Sequence, residues 1–338
     1  MQFKRIEELK AGMRLARPIY NKNGVLLYER DSKLTQQGIS SIKNFGLIGL
    51  FILEPAEPAP PMTAEDIEFE RFQTINVFAI MDELDRIVTS GKTGKLQIIV
   101  SNIIKSYGHL DKKINFIQNL RSQEDYQYKH ALNVAILCAM ISNQLNLKIE
   151  ERLDVVTAAL LYDLRTTGLI EKICSSSPNV KRFCYQAEAI ECGVEDGRMD
   201  TSVKLMEGGK ILAVAQFFDR MTAMNLEKPP ESEVATTRFL LGHSEFFSQE
   251  VVNALMKSIN ILCPGVCVEL NIGEKALVLA ENEHDIFSPM VLVFSDNSVL
   301  DLGNKSVYGD VTITDIMKTM DNRYVMDTEA LKKYGFGV

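Results

Sequence analysis

Between residues 54 and 62 the chain places Pro55, Pro58, Pro60 and Pro61. No regular helix or central strand tolerates four prolines so close together, because each fixes φ and removes a backbone donor. The stretch is expected to be an extended linker, and it separates two kinds of sequence. Before it, apolar residues alternate; after it, they recur at helical spacing. The expected division is a β-rich unit over 1–54, a linker over 55–62, a helical domain over 63–262 and a C-terminal β-hairpin extension over 263–338. The helical domain divides further into leading helices over 63–125 and a core over 126–262. The fold class that follows is mainly α, with small β units at both ends.

Within the first unit, residues 14–20 alternate apolar and polar side chains, and Asn23-Gly24 is a strong hairpin signal before a return strand over 25–28. A short helix is expected from Thr35 to Gly46, then a strand over 48–53. Beyond the prolines, Thr63-Ala64-Glu65-Asp66 can cap a helix carrying Phe69, Phe72, Phe78 and Leu84, with Gly91 and Gly94 ending it. Further helices are expected over 96–107, 111–120, 209–225 and 249–262. Strand character returns over 266–270, 276–280, 290–294 and 299–302, followed by a short helix over 314–320.

Composition excludes several function classes. With 46% hydrophobic residues the chain can bury a large core and does not read as disordered. The net charge of -8, with no basic stripe, argues against nucleic acid as a partner. No run of about 18 apolar residues exists, so no membrane span is expected. The N-terminus lacks the apolar core of a secretory signal, and the six cysteines are scattered. Reduced thiols in a cytoplasmic setting are the expectation. Cys263-Pro264-Gly265-Val266-Cys267 reads as a turn into a strand, since no second ligand pair lies near it to complete a zinc site. Lys92-Thr93-Gly94-Lys95 is followed by Leu96, not Ser or Thr, so it reads as a helix connection and not a phosphate loop.

Chemistry concentrates in the helical core. Only four histidines exist: His109, His130, His243 and His284. From His130, the residues Val134, Leu137 and Ile141 continue one helix face; on the next helix Leu153, Val156, Leu160 and Asp163 continue another. His130 and Asp163 therefore belong to two inward faces and are expected to meet. A buried carboxylate is costly unless paired or metal-bound, so the pair reads as a hydrogen-bonded core contact or as ligands to a weakly held cation.

These segments resemble a known family. Tyr128-Lys129-His130-Ala131-Leu132-Asn133-Val134, Ala158-Ala159-Leu160-Leu161-Tyr162-Asp163-Leu164 and Ile211-Leu212-Ala213-Val214-Ala215-Gln216 are similar to three core helices of HD-GYP domains. Those are bacterial phosphodiesterases that open cyclic di-GMP. Leu9-Lys10-Ala11-Gly12-Met13 with Asn23-Gly24-Val25-Leu26-Leu27 resembles a unit often attached before them, and Cys263 to Leu270 the stretch that closes them. The resemblance spans nearly the whole chain and implies an HD-type helical bundle. It also implies two or three metals sharing carboxylate and imidazole ligands around an activated water.

The departures from the family pattern fall on the ligands. Tyr162 stands where the family has the His of its His-Asp pair, and Gln216 where it has an Asp. Tyr126 stands where some members carry a Glu. No histidine lies between His130 and His243, and Asp196-Gly197 is what would remain of the signature that names the family, with Cys192-Gly193 in place of its His pair. Tyrosine and glutamine are poor substitutes for charged ligands. The resemblance thus implies a catalytically degenerate protein with no resident cofactor, or at most manganese, iron or magnesium at low occupancy through His130 and Asp163. The expected role is a regulatory, nucleotide-sensing or protein-interaction module in cyclic di-GMP-type signalling, with a signalling protein as partner. The apolar face of the helix after the prolines has two readings, packing on its own helical domain, which is the usual outcome, or pairing with a second copy in a homodimer. The alternative is a divergent metal-dependent cyclic dinucleotide phosphodiesterase, with Glu188, Glu191, Glu195 and Asp196 as additional ligands.

Overall fold

The computed structural model describes residues 2–43, 49–53, 62–119, 121–173, 177–198, 204–224, 230–282 and 284–316. The proline stretch apart from Met62, Gly46, Leu120, Asn225 and the expected helix end over 317–320 lie outside the described residues. Two compact units emerge: Met1–Ile67 with Ile261–Val338, and Glu68–Asn260. About half of the chain is helical, with small antiparallel sheets in its N- and C-terminal parts.

The N-terminal part holds β1 (Gln2–Arg5), β2 (Arg14–Leu15), β3 (Ile19–Tyr20), β4 (Leu26–Tyr28), α1 (Gln36–Lys43) and β5 (Gly49–Leu53). One sheet runs β1-β5-β2, and β3 pairs with β4 in a separate hairpin. The Asn23-Gly24 signal is realised there. Asn21 Oδ1 accepts from the backbone of Asn23 and Val25, and Gly24 takes φ +72°. That left-handed conformation suits glycine because no Cβ crowds the carbonyl. Leu15, Leu34, Ile42 and Ile52 form the core beneath. The expected strand over 14–20 breaks into β2 and β3 around Pro18, which has no ladder donor to give. Strand β1 carried no sequence signal.

The helical unit contains α2 (Ala64–Ser90, whose first turn lies in the other unit), α3 (Leu96–Tyr107), α4 (Tyr126–Gln144), α5 (Ile149–Leu161), α6 (Leu169–Ile173), α7 (Pro178–Asp196), α8 (Glu207–Thr222), α9 (Glu233–Gly242) and α10 (Gln249–Ser258). The expected cap forms at the start of α2. Asp66 N donates to Thr63 Oγ1 (3.1 Å) and Thr63 N to Asp66 Oδ2 (2.8 Å), satisfying two donors that a helix start leaves open. Phe69 and Phe72 pack on Tyr107, and Phe69 also on Phe116, so this face is used within its own unit. The Lys92–Lys95 connection joins α2 to α3. Glu83 accepts the backbone N–H groups of Gly94, Lys95 and Leu96, placing a carboxylate where a helix N-terminus attracts an anion.

Helix α4 runs through the middle, and every residue from His130 to Ser142 is buried. It packs on α5, α8, α10 and α3. The helix expected over 111–120 does not form: residues 111–119 are irregular and thread between helices. Five strands follow: β6 (Cys267–Leu270), β7 (Lys275–Ala280), β8 (Met290–Val293), β9 (Val299–Asp301) and β10 (Ile313–Ile316), with α11 (Lys305–Tyr308) before the last. Their order is β10-β6-β7-β8-β9. Where a helix was expected from Thr314, β10 pairs with β6 instead, with a register shift between Ile313 and Asp315 that leaves both Ile313 and Ile316 buried. Cys263 to Cys267 is the expected turn, with Val266 N donating to Cys263 O and Gly265 at φ +95°.

Candidate functional site

Helix α8 carries Gln216, Asp219 and Thr222 at steps of three, which stack along one face. Helix α4 brings His130 and Asn133, again three apart, to meet them. The irregular segment before α4 contributes Gln118, and Arg121 follows just after it. Arg121 N donates to Met224 O (2.9 Å), tying this segment to the end of α8.

Asp219 is the hub. Its Oδ2 accepts from His130 Nδ1 (2.6 Å). Its Oδ1 accepts from Arg121 Nη2 (2.6 Å), Gln118 Nε2 (3.1 Å) and Asn133 Nδ2 (3.1 Å). The second His130 nitrogen, Nε2, meets the Gln216 side-chain amide at 2.5 Å. Tyr126 stacks on the His130 ring, and the Arg121 guanidinium lies over Tyr126 at 5.2 Å from its centroid. Both Arg121 and Asp219 side chains have 0% exposure. Burial alone would raise the Asp219 carboxyl, but the Arg121 charge and the bonds from His130 and Arg121 hold it well below the ordinary carboxylate range. Burial works against the Arg121 charge, and Asp219 outweighs it, so the guanidinium is held still more firmly protonated.

A second cluster joins α7 to α8 and to the tight turn Tyr162–Thr167 after α5. Glu191 Oε2 accepts from the Tyr162 hydroxyl (2.6 Å) and lies 3.6 Å from Arg165 Nη2, while Glu191 Oε1 pairs with Arg220. Arg165 Nε also donates to Glu188 Oε1 (3.0 Å), and the Arg165 guanidinium lies 4.0 Å over the Tyr162 ring. Arg220 Nη2 reaches Gln216 Oε1 (3.2 Å), which links the two clusters. Burial pushes the Tyr162 hydroxyl above its ordinary range, so it stays protonated and donates.

The expected His130–Asp163 pair is not formed. Helix α5 ends at Leu161 and the chain tightens to about three residues per turn over Tyr162–Thr167. The change of pitch turns Tyr162 inward and Asp163 outward, so the side chain of Asp163 is 47% exposed and lies 3.8 Å from Arg165. His130 pairs with Asp219 instead. Tyr162 and Gln216 are both at the buried clusters, and Tyr126 flanks His130. Asp196 and Gly197 lie on the exposed end of α7, where Gly197 at φ +66° stops the helix. Glu195 is exposed there too, whereas Glu188 and Glu191 are held by arginines. Sequence reading missed Asp219, Arg121, Gln118 and Arg220. The available signal was the three-residue step from Gln216, already singled out, to Asp219.

The residues present do not fit the multi-metal centre that the resemblance implies. The fully buried Asp219 carboxylate is bound by a guanidinium, both His130 nitrogens are committed, and Asp163 faces solvent. Among the described residues, no three His, Cys, Asp or Glu side chains form a group that could hold a metal ion. No helix is long and apolar enough to cross a membrane among the described residues. No protein-family model matches the chain, and no curated protein or solved structure matches it.

Proposed function

We propose that the chain is a catalytically degenerate HD-GYP-like protein that acts in regulation, as a protein-interaction or nucleotide-sensing module in cyclic di-GMP-type signalling. Contact with a signalling protein is the stronger half of this reading, and a cytoplasmic setting goes with it. The observation that supports it is the Arg121 guanidinium on Asp219. A hydrolase of this class uses buried carboxylates to hold cations that activate water and neutralise phosphate charge. Here the carboxylate is already neutralised from within. The alternative, a divergent phosphodiesterase, would require Glu188 and Glu191 to exchange their arginine partners for metal.

The test is turnover. The purified chain is incubated with cyclic di-GMP and manganese, and linear product and bound nucleotide are both measured. The reading expects no product above a no-protein control. Product that disappears in the His130→Ala variant would establish the enzyme instead. Nucleotide bound without turnover would favour sensing; nucleotide neither bound nor cut would favour protein contact.

A further inference from the structure

Residues 108–119 form neither helix nor sheet, yet Phe116 and Gln118 are buried. A buried irregular segment must find partners for its backbone groups, since no ladder supplies them. Four helices meet this need. Gln73 Nε2 on α2 donates to Ile117 O (3.1 Å), and Asn143 Nδ2 on α4 to Leu110 O (3.1 Å). Arg152 Nη1 on α5 donates to Gly108 O (2.8 Å), while Ile114 N donates to Ser258 O on α10 (3.1 Å).

Its side chains also belong to a continuous ladder. Asn119 Nδ2 donates to Gln73 Oε1 (3.0 Å), and Gln73 Nε2 to Asn133 Oδ1 (3.0 Å). Asn133 Nδ2 donates to Gln118 Oε1 (3.0 Å), and Gln118 Nε2 to Asp219 Oδ1 (3.1 Å) and Thr222 Oγ1 (2.9 Å). Each of the three inner amides accepts at one end and donates at the other. Turning one of them would set donor against donor and acceptor against acceptor in a buried site, which is costly. The rungs are therefore oriented by one another.

We propose that this amide ladder is a conformational coupling device, through which a displacement of α2 reaches the His130–Asp219 centre on α4 and α8. Gln73 is the input rung, because from α2 it holds both the irregular segment and Asn133. Gln118 is the output rung, because it touches Asp219 and Thr222 together. A shift of α2 breaks Gln73 from Ile117 and Asn133, and the unsatisfied Asn133 Oδ1 then competes for the donors around Asp219. The device does not depend on the proposed signalling role and would operate equally in an enzyme.

Hydrogen exchange read by mass spectrometry on the full chain tests this. Gln73→Leu is compared with Ile80→Val or Ile80→Ala, whichever matches its loss of stability in urea, since Ile80 is a buried α2 residue outside the ladder. Gln73→Leu is expected to speed exchange in 126–144 and 207–222 by about threefold or more over the matched control. Thr222→Val, at the other end, is expected to speed exchange in 64–90, because coupling is reciprocal. If Gln73→Leu does not fold, Asn119→Ala removes the outer rung and is expected to give the same pattern with smaller amplitude. Changes confined to α2 and 108–119, or equal to the matched control, would overturn the proposal.

Discussion

Asp219 and Glu191 are carboxylates on neighbouring helices, α8 and α7, and both face arginine. Asp219 and its partner Arg121 have 0% exposure, whereas Arg165 and Arg220, the partners of Glu191, keep 19% and 39%. Around Asp219 water is excluded, so every charge must be answered by the protein, and four neighbours converge on one carboxyl. Around Glu191 the partners Arg165 and Arg220 stay in contact with solvent, and three neighbours, Tyr162, Arg165 and Arg220, share the carboxyl. Equal chemistry at different depth gives one indivisible centre and one cluster whose members can be removed singly.

Loss of Arg121 is expected to have the largest effect. Arg121→Leu leaves a buried carboxylate with its main counter-charge removed and is expected to cost about 3–5 kcal/mol in urea unfolding. The double change Arg121→Leu with Asp219→Leu is expected to cost clearly less than Arg121→Leu alone. Equal costs would mean that Asp219 is not held by Arg121.

A pH titration of stability sharpens the same point. The native Asp219 carboxyl is depressed, so its contribution is fully present above the unfolded value of about 4 and is lost as pH falls from there toward the native value. Asp219→Asn should therefore flatten the acid limb of the stability curve below about pH 4. An unchanged slope would assign the acid limb to other carboxyls.

In the looser cluster effects are smaller. Tyr162→Phe removes one bond to Glu191 while both arginines remain, and about 1–2 kcal/mol is the expected loss by thermal or urea unfolding. Asp163→Ala is expected to change stability by no more than about 0.5 kcal/mol, as for other exposed pairs. A large loss at Asp163 would place it inside the centre after all.

These sites also mark how far the sequence could be read. The inward position of His130, the capping at Thr63 and Asp66, the Asn23-Gly24 hairpin and the turn at Gly265 were all legible, because each depends on local spacing or on one residue's backbone preference. Asp163 was misplaced because extrapolating a 3.6-residue period fails once the chain tightens at Tyr162. The segment over 111–119 looked helical but is irregular, with Ile117 held by Gln73 and Ile114 by Ser258 and Asn260, distant residues that no local pattern reports. Asp219 was hidden for the same reason. Its partner Arg121 lies 98 positions away, and a charge on an inward face declares itself functional or structural only once its partner is known.

The most direct test of the account is a metal count. The chain is purified from cells supplied with manganese and iron, and metal per chain is measured by elemental analysis. Arg121 neutralising Asp219 from within predicts less than about a tenth of an equivalent, since metal-activated water requires a bound cation. One equivalent or more, lost in Asp219→Ala or His130→Ala, would contradict it.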